Sequence, residues 1–278
     1  MSKLRRSAVR RYHDRVAPKY DHSYDDSYWL WHDALTWDYL KPFLPREAKA
    51  EVIDLGCGTG KWSAKLAKSG YRLTCVDISH RMIDQARQKI ESVNATSKMT
   101  FVQADLADLS ALPADRYALA IALGDPIGCT QSPPRTMKQI RRILRDDGVL
   151  VATFDNRLSA IDYYLERANL ADLSRFLRDG KTHWLTREQA EQFPIVTFSP
   201  REAIRLVESA GFKLLDLMGK TVLPMRYHRE LLDSSESRRT LAKIEKKLAR
   251  DPDAVGRASH LQIACRVAAS GSGSRSAK

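Results

Sequence analysis

Three aspartates stand at the ends of apolar segments, and a glycine-rich turn follows the first of them. Asp54 lies in an apolar run that leads directly into Gly56-Cys57-Gly58-Thr59-Gly60, while Asp77 and Asp105 close the next two runs along the chain. Glycines let a ligand approach the backbone closely, and the N-terminus of the following helix offers unpaired N–H groups and a positive dipole end. Acids at successive strand ends suit hydroxyl groups and cationic groups. The pattern therefore predicts a site for a ligand of that kind, such as a ribose diol.

The glycine spacing separates this turn from dinucleotide sites. It reads G-x-G-x-G, whereas dinucleotide sites have G-x-G-x-x-G, in which the third glycine lets the helix pack closely on the strand. Asp77 follows the turn by about 20 residues, the distance at which an acceptor for ribose hydroxyls is expected. A nicotinamide-dependent enzyme and a Rossmann domain that has lost its ligand stay open as alternatives at this point.

Short apolar runs alternate with helical patterns through most of the chain, which is typical of βαβ units. Gly70 ends the helix after the glycine turn, Ser79 caps the next helix, and a capping box at Ser199-Pro200-Arg201-Glu202 begins a later one. The sequence predicts an α/β fold, a doubly wound and mostly parallel seven-stranded sheet with helices on both faces. The predicted strands are 51–55, 71–78, 99–104, 117–123, 149–154, 212–218 and 261–267.

The motifs around these acids resemble those of one enzyme family, the class I S-adenosylmethionine-dependent methyltransferases. The similar segments correspond to the first three cofactor motifs of the family and to the helix, glycine and fifth strand that follow them; they are 52–60, 76–79, 103–106 and 142–154. The resemblance covers 51–155 well and 199–218 more loosely, and it favours the small-molecule type of the family. It implies a Rossmann-like fold and an enzyme that binds S-adenosyl-L-methionine (SAM).

The resemblance also implies roles for the turn and for the strand ends. The methionine part of SAM would lie against the glycine turn, with Asp54 facing its amino group through water. Asp77 would accept both ribose hydroxyls, Asp105 would take the adenine amino group, and Ile78 would pack on the adenine. The whole expected cofactor set is Asp54, Gly56, Cys57, Gly58, Gly60, Asp77, Ile78, Asp105, Leu106 and Leu123. S-adenosyl-L-homocysteine would be the product.

The segments outside the core are expected to surround the methyl acceptor. The expected division is a helical and aromatic lid over 1–45, a cofactor-binding core over 46–155, a helical insert over 156–198, the rest of the core with a charged helical insertion over 199–269, and a disordered tail over 270–278. The lid and the insert are predicted to form the acceptor pocket.

The N-terminal segment carries an aromatic stripe suited to such a pocket. Tyr20, Tyr24, Tyr28, Trp31 and Leu35 have the spacing of one helix face, and this stripe either packs on the sheet or roofs the site. In many small-molecule relatives a Tyr-Asp pair before the first strand reaches the methyl group, and the pair that begins at Tyr20 looks similar. Tyr20 is therefore a catalytic candidate and Tyr24 a substrate-binding one.

The insert and the loop after the fourth strand supply the other acceptor candidates. His183, beside Trp184, is predicted as a general base in an aromatic pocket, and the alternative is an ordinary surface or core histidine. Asp125 is predicted to position the acceptor or to contact the cofactor, and the alternative is a turn aspartate before proline. Alignment alone supplies about 7–11 kcal/mol of the barrier to such a transfer, so no acid or base need appear in a motif.

Composition bounds the remaining functions. The chain has 278 residues, 46 Lys+Arg against 34 Asp+Glu and a net charge of +12. It has no apolar run long enough to span a membrane. The four cysteines are widely spaced, which argues against a disulfide framework and a zinc site and favours the cytoplasm. No metal site is expected, and the chain is expected to be a monomer or a homodimer.

The basic charge keeps RNA open as a second acceptor class. Residues 1–20 hold seven Lys or Arg and one acid, so their net charge of +6 is half of that of the chain. The loop at Gly124-Asp125-Pro126-Ile127 lacks the aromatic residue of the motif found in nucleic-acid amino methyltransferases, and no RNA-binding motif is appended. The predicted function is in-line transfer of a methyl group from SAM to an O, N or S atom of a small-molecule metabolite. A tRNA or rRNA methyltransferase is the alternative, and a non-catalytic SAM-binding protein is third.

Overall fold

A computed structural model describes residues 2–93, 98–183 and 188–268. The strands are β1 (Glu51–Leu55), β2 (Arg72–Asp77), β3 (Lys98–Gln103), β4 (Tyr117–Ala122), β5 (Leu144–Asp155), β6 (Lys181–Thr182), β7 (Ile195–Val196), β8 (Phe212–Lys220) and β9 (His260–Val267). Seven of them form one sheet in the order β3-β2-β1-β4-β5-β9-β8, and β6 and β7 pair separately. The predicted fold is confirmed.

The helices are α1 (Ser2–Val16), α2 (Ser27–Leu40), α3 (Lys61–Ala67), α4 (His80–Glu91), α5 (Pro133–Ile143), α6 (Ile161–Leu165), α7 (Leu170–Asp179), α8 (Pro200–Ser209), α9 (Ser235–Leu248) and α10 (Pro252–Val255). They cover both faces of the sheet. Because neighbouring strand residues point to opposite faces, Ile53 packs in one core with Met137 of α5, and Val52 packs in another with Leu66 of α3.

The strand order places a crevice at one edge of the sheet. Strands β1 to β5 are parallel, and β9 runs antiparallel to both β5 and β8. The winding reverses between β1 and β4, so the loops after these two strands lead to opposite faces and leave a space between them. Asp77 and Asp155 are the last residues of β2 and β5 and therefore lie at this edge.

The N-terminal aromatic stripe does not form the single helix that its spacing predicts. Tyr20 and Tyr24 lie in short 3-10 turns that precede α2. Asp26 sets the boundary because its carboxylate accepts a hydrogen bond from the N–H of Trp29, at 3.0 Å, as the N-cap of α2. The rest of the stripe, from Tyr28 onward, is buried in a cluster with β8. The prediction of one continuous helix face is wrong. The part of the stripe from Tyr28 onward packs on the sheet, and the part with Tyr20 and Tyr24 lines the cavity.

The insert over 156–198 is only partly helical. Helices α6 and α7 agree with the expectation, but β6 and β7 add a two-stranded sheet, and the N–H of Val196 donates to the carbonyl of Gly128 at 2.9 Å. The insert is thereby tied to the loop after β4. The tail over 270–278 lies outside the described residues. Among the residues that are described, no helix has the length and apolar character needed to cross a membrane.

Two glycines with a left-handed backbone allow a test of how the turn after β1 is packed. A Cβ on Gly60 (φ +81°) would lie 2.8 Å from the Cβ of Ala86 on α4, whereas a Cβ on Gly70 (φ +77°) would meet no atom within 4 Å. Both alanine substitutions carry backbone strain of about 1–2 kcal/mol, and only Gly60→Ala adds overpacking of about 1–3 kcal/mol. We expect urea denaturation to show the larger loss in free energy of unfolding for Gly60→Ala. Equal losses in the two variants would contradict this packing.

Candidate active site

The glycine-rich turn between β1 and α3 is fixed to the end of β2 and leaves one side open. The N–H groups of Gly56 and Cys57 both donate to the carbonyl of Val76, at 2.8 and 2.9 Å. A Cβ on Gly56 would lie 2.5 Å from Pro126, so the loop after β4 packs directly on this glycine. A Cβ on Gly58 would meet no atom within 4 Å, and Gly58 lines a cavity. A ligand can therefore lie against the backbone at Gly58.

Asp77 is buried at the end of β2 and held by the same turn. Its Oδ2 accepts a hydrogen bond from the N–H of Gly58 and its Oδ1 accepts one from the N–H of Ser79, each at 2.9 Å. Burial raises the pKa of Asp77, while the His13 imidazole and these N–H groups oppose the rise. Each carboxylate oxygen has a further lone pair, so the group can also accept hydrogen bonds from two vicinal hydroxyls.

Eight of the ten predicted cofactor residues line one cavity of about 1000 Å³; they are Gly56, Cys57, Gly58, Asp77, Ile78, Asp105, Leu106 and Leu123. They combine an open stretch of backbone, two acids and several apolar side chains. That set fits SAM, which has a charged amino-acid end, a ribose and a flat purine. Gly60 is not among the lining residues and lies against Ala86 of α4 instead.

Asp54 lies behind the cavity wall and does not line it. It is 1% exposed, and its Oδ2 accepts a hydrogen bond from the hydroxyl of Ser63 on α3 at 2.5 Å. Burial raises the pKa of Asp54 to about 7, against the hydrogen bond from Ser63 and with added repulsion from Asp77. A cation near this wall would favour the ionised carboxylate. A contact with the amino group of SAM through water stays a prediction.

The N-terminal segment roofs the cavity and is tied to its cofactor end. The Asp14 carboxylate on α1 accepts a hydrogen bond from the hydroxyl of Ser79 at 2.6 Å. The Asp21 carboxylate accepts one from the hydroxyl of Thr59, in the glycine turn, at 2.5 Å. Burial raises the pKa of Tyr20 well above 10, so its phenol stays protonated and can donate a hydrogen bond to an acceptor.

The predicted acceptor residues are only partly brought together. Tyr20, Tyr24 and Asp125 line the cavity, and the two tyrosine rings lie 4.9 Å apart between centroids. His183 is exposed and is not among the lining residues, so the structure does not bring it to the site. Trp184 lies outside the described residues. The insert reaches the cavity through α6 instead.

Four polar side chains that the sequence analysis did not combine line the other end of the cavity, and we call Asp125, Asp155, His260 and Lys220 the polar row. Asp155 of β5 lies directly across from His260 of β9, which lies across from Lys220 of β8. The N–H of Asp125 donates to the hydroxyl of Thr153 at 3.0 Å. The Nε2 atom of His260 lies 3.7 Å from a carboxylate oxygen of Asp125 and 3.7 Å from one of Asp155.

Burial controls the charges of the polar row. Burial, followed by repulsion from Asp125, raises the pKa of Asp155 well above its ordinary range. Burial lowers the pKa of Lys220 to about 8, and its amino group donates to the hydroxyl of Thr36 on α2 at 3.0 Å. Burial also lowers the pKa of His260 well below 6.5, so this imidazole is neutral at pH 7.

A second buried histidine faces the row from α2. The ring of His32 lies 5.0 Å from the ring of His260 between centroids, and His32 lines the cavity. Burial, followed by the charge of Lys220, lowers the pKa of His32 well below 6.5. Within the described part of the chain, neither of its ring nitrogens has a hydrogen-bond partner. A neutral imidazole of this kind can accept a hydrogen bond from a bound hydroxyl.

One of the missed residues had a signal in the sequence. Asp155 closes an apolar strand just as Asp77 does, so the same reasoning could have selected it. His32, Lys220 and His260 had none, because each lies far along the chain from the residues it meets. Only the strand pairing and the position of α2 bring them together.

Known proteins share this fold and these motifs. Residues 52–148 match the family model of a methyltransferase domain. The tRNA 5-carboxymethoxyuridine methyltransferase of Escherichia coli is 22% identical over 238 residues, which cover 84% of this chain and 87% of that protein. The ubiquinone biosynthesis O-methyltransferase of Xanthomonas axonopodis is 24% identical over 189 residues, which cover 68% of this chain and 73% of that protein. A SAM-dependent methyltransferase structure from Methanosarcina mazei superposes with a TM-score of 0.58 at 19% identity, covering 83% of this chain and 97% of that chain.

The matched methyltransferase domain contains the strands and turns that build the cofactor end of the cavity. Within it, the backbone at Gly58 is open to the cavity and its N–H fixes the Asp77 carboxylate, while the contact of these groups with the cofactor stays a prediction. The strand order and the solved structure agree on the fold. The chain is a class I S-adenosylmethionine-dependent methyltransferase, and SAM is its methyl donor.

Proposed function

We propose that the chain transfers the methyl group of SAM to an O, N or S atom of a small polar metabolite that binds at the polar row. The observation that carries this proposal is the continuous cavity of about 1000 Å³, which runs from Gly58 and Asp77 to Asp155 and Lys220. Its size is at the upper end of the range of ligand pockets, about 300–1000 Å³, so it has room for a cofactor beside a small acceptor. A cytoplasmic location and a monomeric or homodimeric state stay predictions from the sequence.

The residues of the cofactor end would hold SAM at both of its ends. Asp77 would accept the ribose hydroxyls, and the backbone at Gly58 would carry the methionine part. Asp105 and Leu106 would contact the adenine. Bound SAM supplies a methyl group on a cationic sulfur, which is a good leaving group. The chain contributes in-line alignment and a roof that keeps water out.

The groups around the polar row suit acceptors of different acidity. A hydroxyl acceptor needs a base, and the candidate is His32, which lines the cavity and has both ring nitrogens without a hydrogen-bond partner in the described part of the chain. A thiolate or a free amine needs no base. The protonated phenol of Tyr20 can hold the acceptor by donating a hydrogen bond. Tyr20 is thus proposed as a residue that positions the acceptor.

A tRNA nucleotide is the alternative acceptor, and the name of the Escherichia coli relative favours it. The N-terminal helix argues against it. The Arg11 guanidinium donates to the carbonyl of Ala190 at 2.5 Å, and Arg15 pairs with Glu191 at 2.7 Å. These arginines hold α1 on the insert, so they are not part of a free basic arm. We therefore favour the small-molecule acceptor.

The acceptor class can be read from labelled methyl groups. Wild-type protein incubated with tritiated SAM should label a fraction of a cell extract that passes a small-pore filter, and should leave the tRNA fraction unlabelled. Activity on a small acceptor should change little between about 50 and about 200 mM salt, because RNA binding is the process that salt weakens steeply. Label in the tRNA fraction that declines steeply over this range would favour the alternative.

Asp77 should dominate the affinity for the cofactor. Asp77→Asn replaces one carboxylate oxygen with an amide that cannot accept the ribose hydroxyls, and losing a charge-assisted hydrogen bond costs about 1.5–3 kcal/mol. We expect calorimetry to show SAM binding weakened by at least about tenfold. Asp84→Asn, on the exposed side of α4, removes the same charge and should bind SAM as the wild type does. Equal affinities in the two variants would contradict this role.

Asp54 should release a proton when SAM binds. Its pKa in the free protein is raised to about 7, so near pH 7 a fraction of the chains carry a protonated Asp54. The ammonium group of SAM favours the ionised form and therefore lowers that pKa, so protons leave and SAM affinity rises with pH through about 7. Calorimetry in buffers of different ionisation enthalpy measures this release. Asp54→Asn should largely remove it, and an unchanged release in the variant would exclude Asp54 as its source.

A further inference from the structure

Three ligand-type atoms of the polar row converge on one point of the cavity. One oxygen from each of Asp125 and Asp155 and one ring nitrogen of His260 lie within 4.8 Å of one another. The Nε2 atom of His260 is 3.7 Å from each acid, which is too long for a hydrogen bond. Atoms at these separations can share one cation at bond lengths of about 2.0–2.6 Å, the range found for divalent ions in proteins.

Buried atoms of these groups also lack partners. His260 is 9% exposed, and its Nδ1 has no hydrogen-bond partner among the described residues. The same is true of Oδ1 of Asp125. Buried polar atoms are seldom left in this state unless water or an ion completes the site. One nitrogen of this imidazole thus lacks a partner, and the other lies 3.7 Å from an oxygen of each of the two carboxylates.

Lys220 does not bridge the two acids. Its Nζ donates to the hydroxyl of Thr36, and within the described part of the chain it forms no ion pair within 4.0 Å with either carboxylate. Two carboxylates that face each other away from water need positive charge close by. The point between Asp125, Asp155 and His260 is where such a charge has most effect.

We propose that Asp125, Asp155 and His260 bind one divalent first-row transition-metal ion, such as Mn²⁺. A mixed set of two carboxylates and an imidazole suits these ions, whereas Mg²⁺ and Ca²⁺ prefer oxygen ligands alone. The sequence analysis expected no metal site, because the ligands come from the loop after β4 and from β5 and β9 and form no motif. Three protein ligands leave coordination positions open toward the cavity. There an oxygen atom of the acceptor would complete the coordination, a role that rests on the proposed function.

Electron paramagnetic resonance of Mn²⁺ added to metal-stripped full-length protein tests the site. We expect one ion per chain, with Asp155→Asn and His260→Ala each weakening its binding by at least about tenfold. Pulsed measurements should show ¹⁴N coupling from the imidazole in the wild type and lose it in His260→Ala. Asp77→Asn is the matched control, because it removes an acid from the same cavity and should bind Mn²⁺ as the wild type does.

The variants separate loss of the metal from loss of the fold. Asp155→Asn removes a like charge from beside Asp125, so the metal-free variant should melt no lower than the metal-free wild type. Mn²⁺ should raise the melting temperature of the wild type and of Asp77→Asn, and leave that of Asp155→Asn unchanged. No binding at one equivalent, binding that survives both ligand variants, or absent ¹⁴N coupling in the wild type would overturn the site.

A separate experiment tests whether the bound metal takes part in methyl transfer to the acceptor. Removal of metal with EDTA should suppress methyl transfer to the small acceptor, and Mn²⁺ should restore it. Bound Mn²⁺ together with unchanged transfer in EDTA-treated, metal-free protein would overturn the acceptor role and leave the site standing. Bound Mn²⁺ with label found only in tRNA would overturn the proposed acceptor class and again leave the site standing.

Discussion

The burial of several carboxylates at one edge of one sheet is the constraint on which the rest of the structure depends. Asp54 and Asp77 belong to β1 and β2, Asp125 follows β4, and Asp155 closes β5. Taking a carboxylate out of water costs several kcal/mol unless donors or cations replace the water. Hydroxyl and N–H donors from the glycine turn and nearby helices meet part of this need at the cofactor end. The carboxylates of the polar row have fewer such donors, and the pKa of Asp155 is raised as a result.

The turn after β1 and the loop after β4 are in contact at the point where the winding of the sheet reverses. Gly56 packs against Pro126, the residue after Asp125, with no room for a side chain between them. The position of the loop after β4 is therefore set by the turn after β1. In the proposed function, this contact would align the acceptor with the sulfonium of SAM. Alignment is the main contribution that an enzyme makes to a transfer with such a good leaving group.

The parts that could be predicted from the sequence are those encoded by neighbouring residues. The strand acids, the glycine spacing and the helix caps are local patterns, and the sheet and most of the cofactor wall follow from them. The prediction of one helix for the aromatic stripe was wrong because Asp26 caps the start of α2 within the stripe. Asp125 was predicted and Asp155 had a local signal, but their combination with His260 could not be predicted because it depends on register, which pairs Asp155 with His260 across more than 100 positions of sequence. The pairing of two strands this far apart is decided by how both pack in the sheet, because a shift of one residue would turn each side chain to the other face.

The net charge of +12 and the acids of the interior act on different length scales. Basic residues such as Lys246 and Lys247 lie on the outer helices, where salt screens their field within about 8 Å. Asp54 and Asp77 are buried, and a buried carboxylate is screened less by water and salt, so it acts more strongly on a neighbouring group. In the proposed function, a cationic cofactor would therefore respond to Asp54 and Asp77 rather than to the surface. The same reasoning would apply to an acceptor at the polar row, where Asp125, Asp155 and Lys220 would act on it at close range, while the surface charge would affect only how charged partners approach.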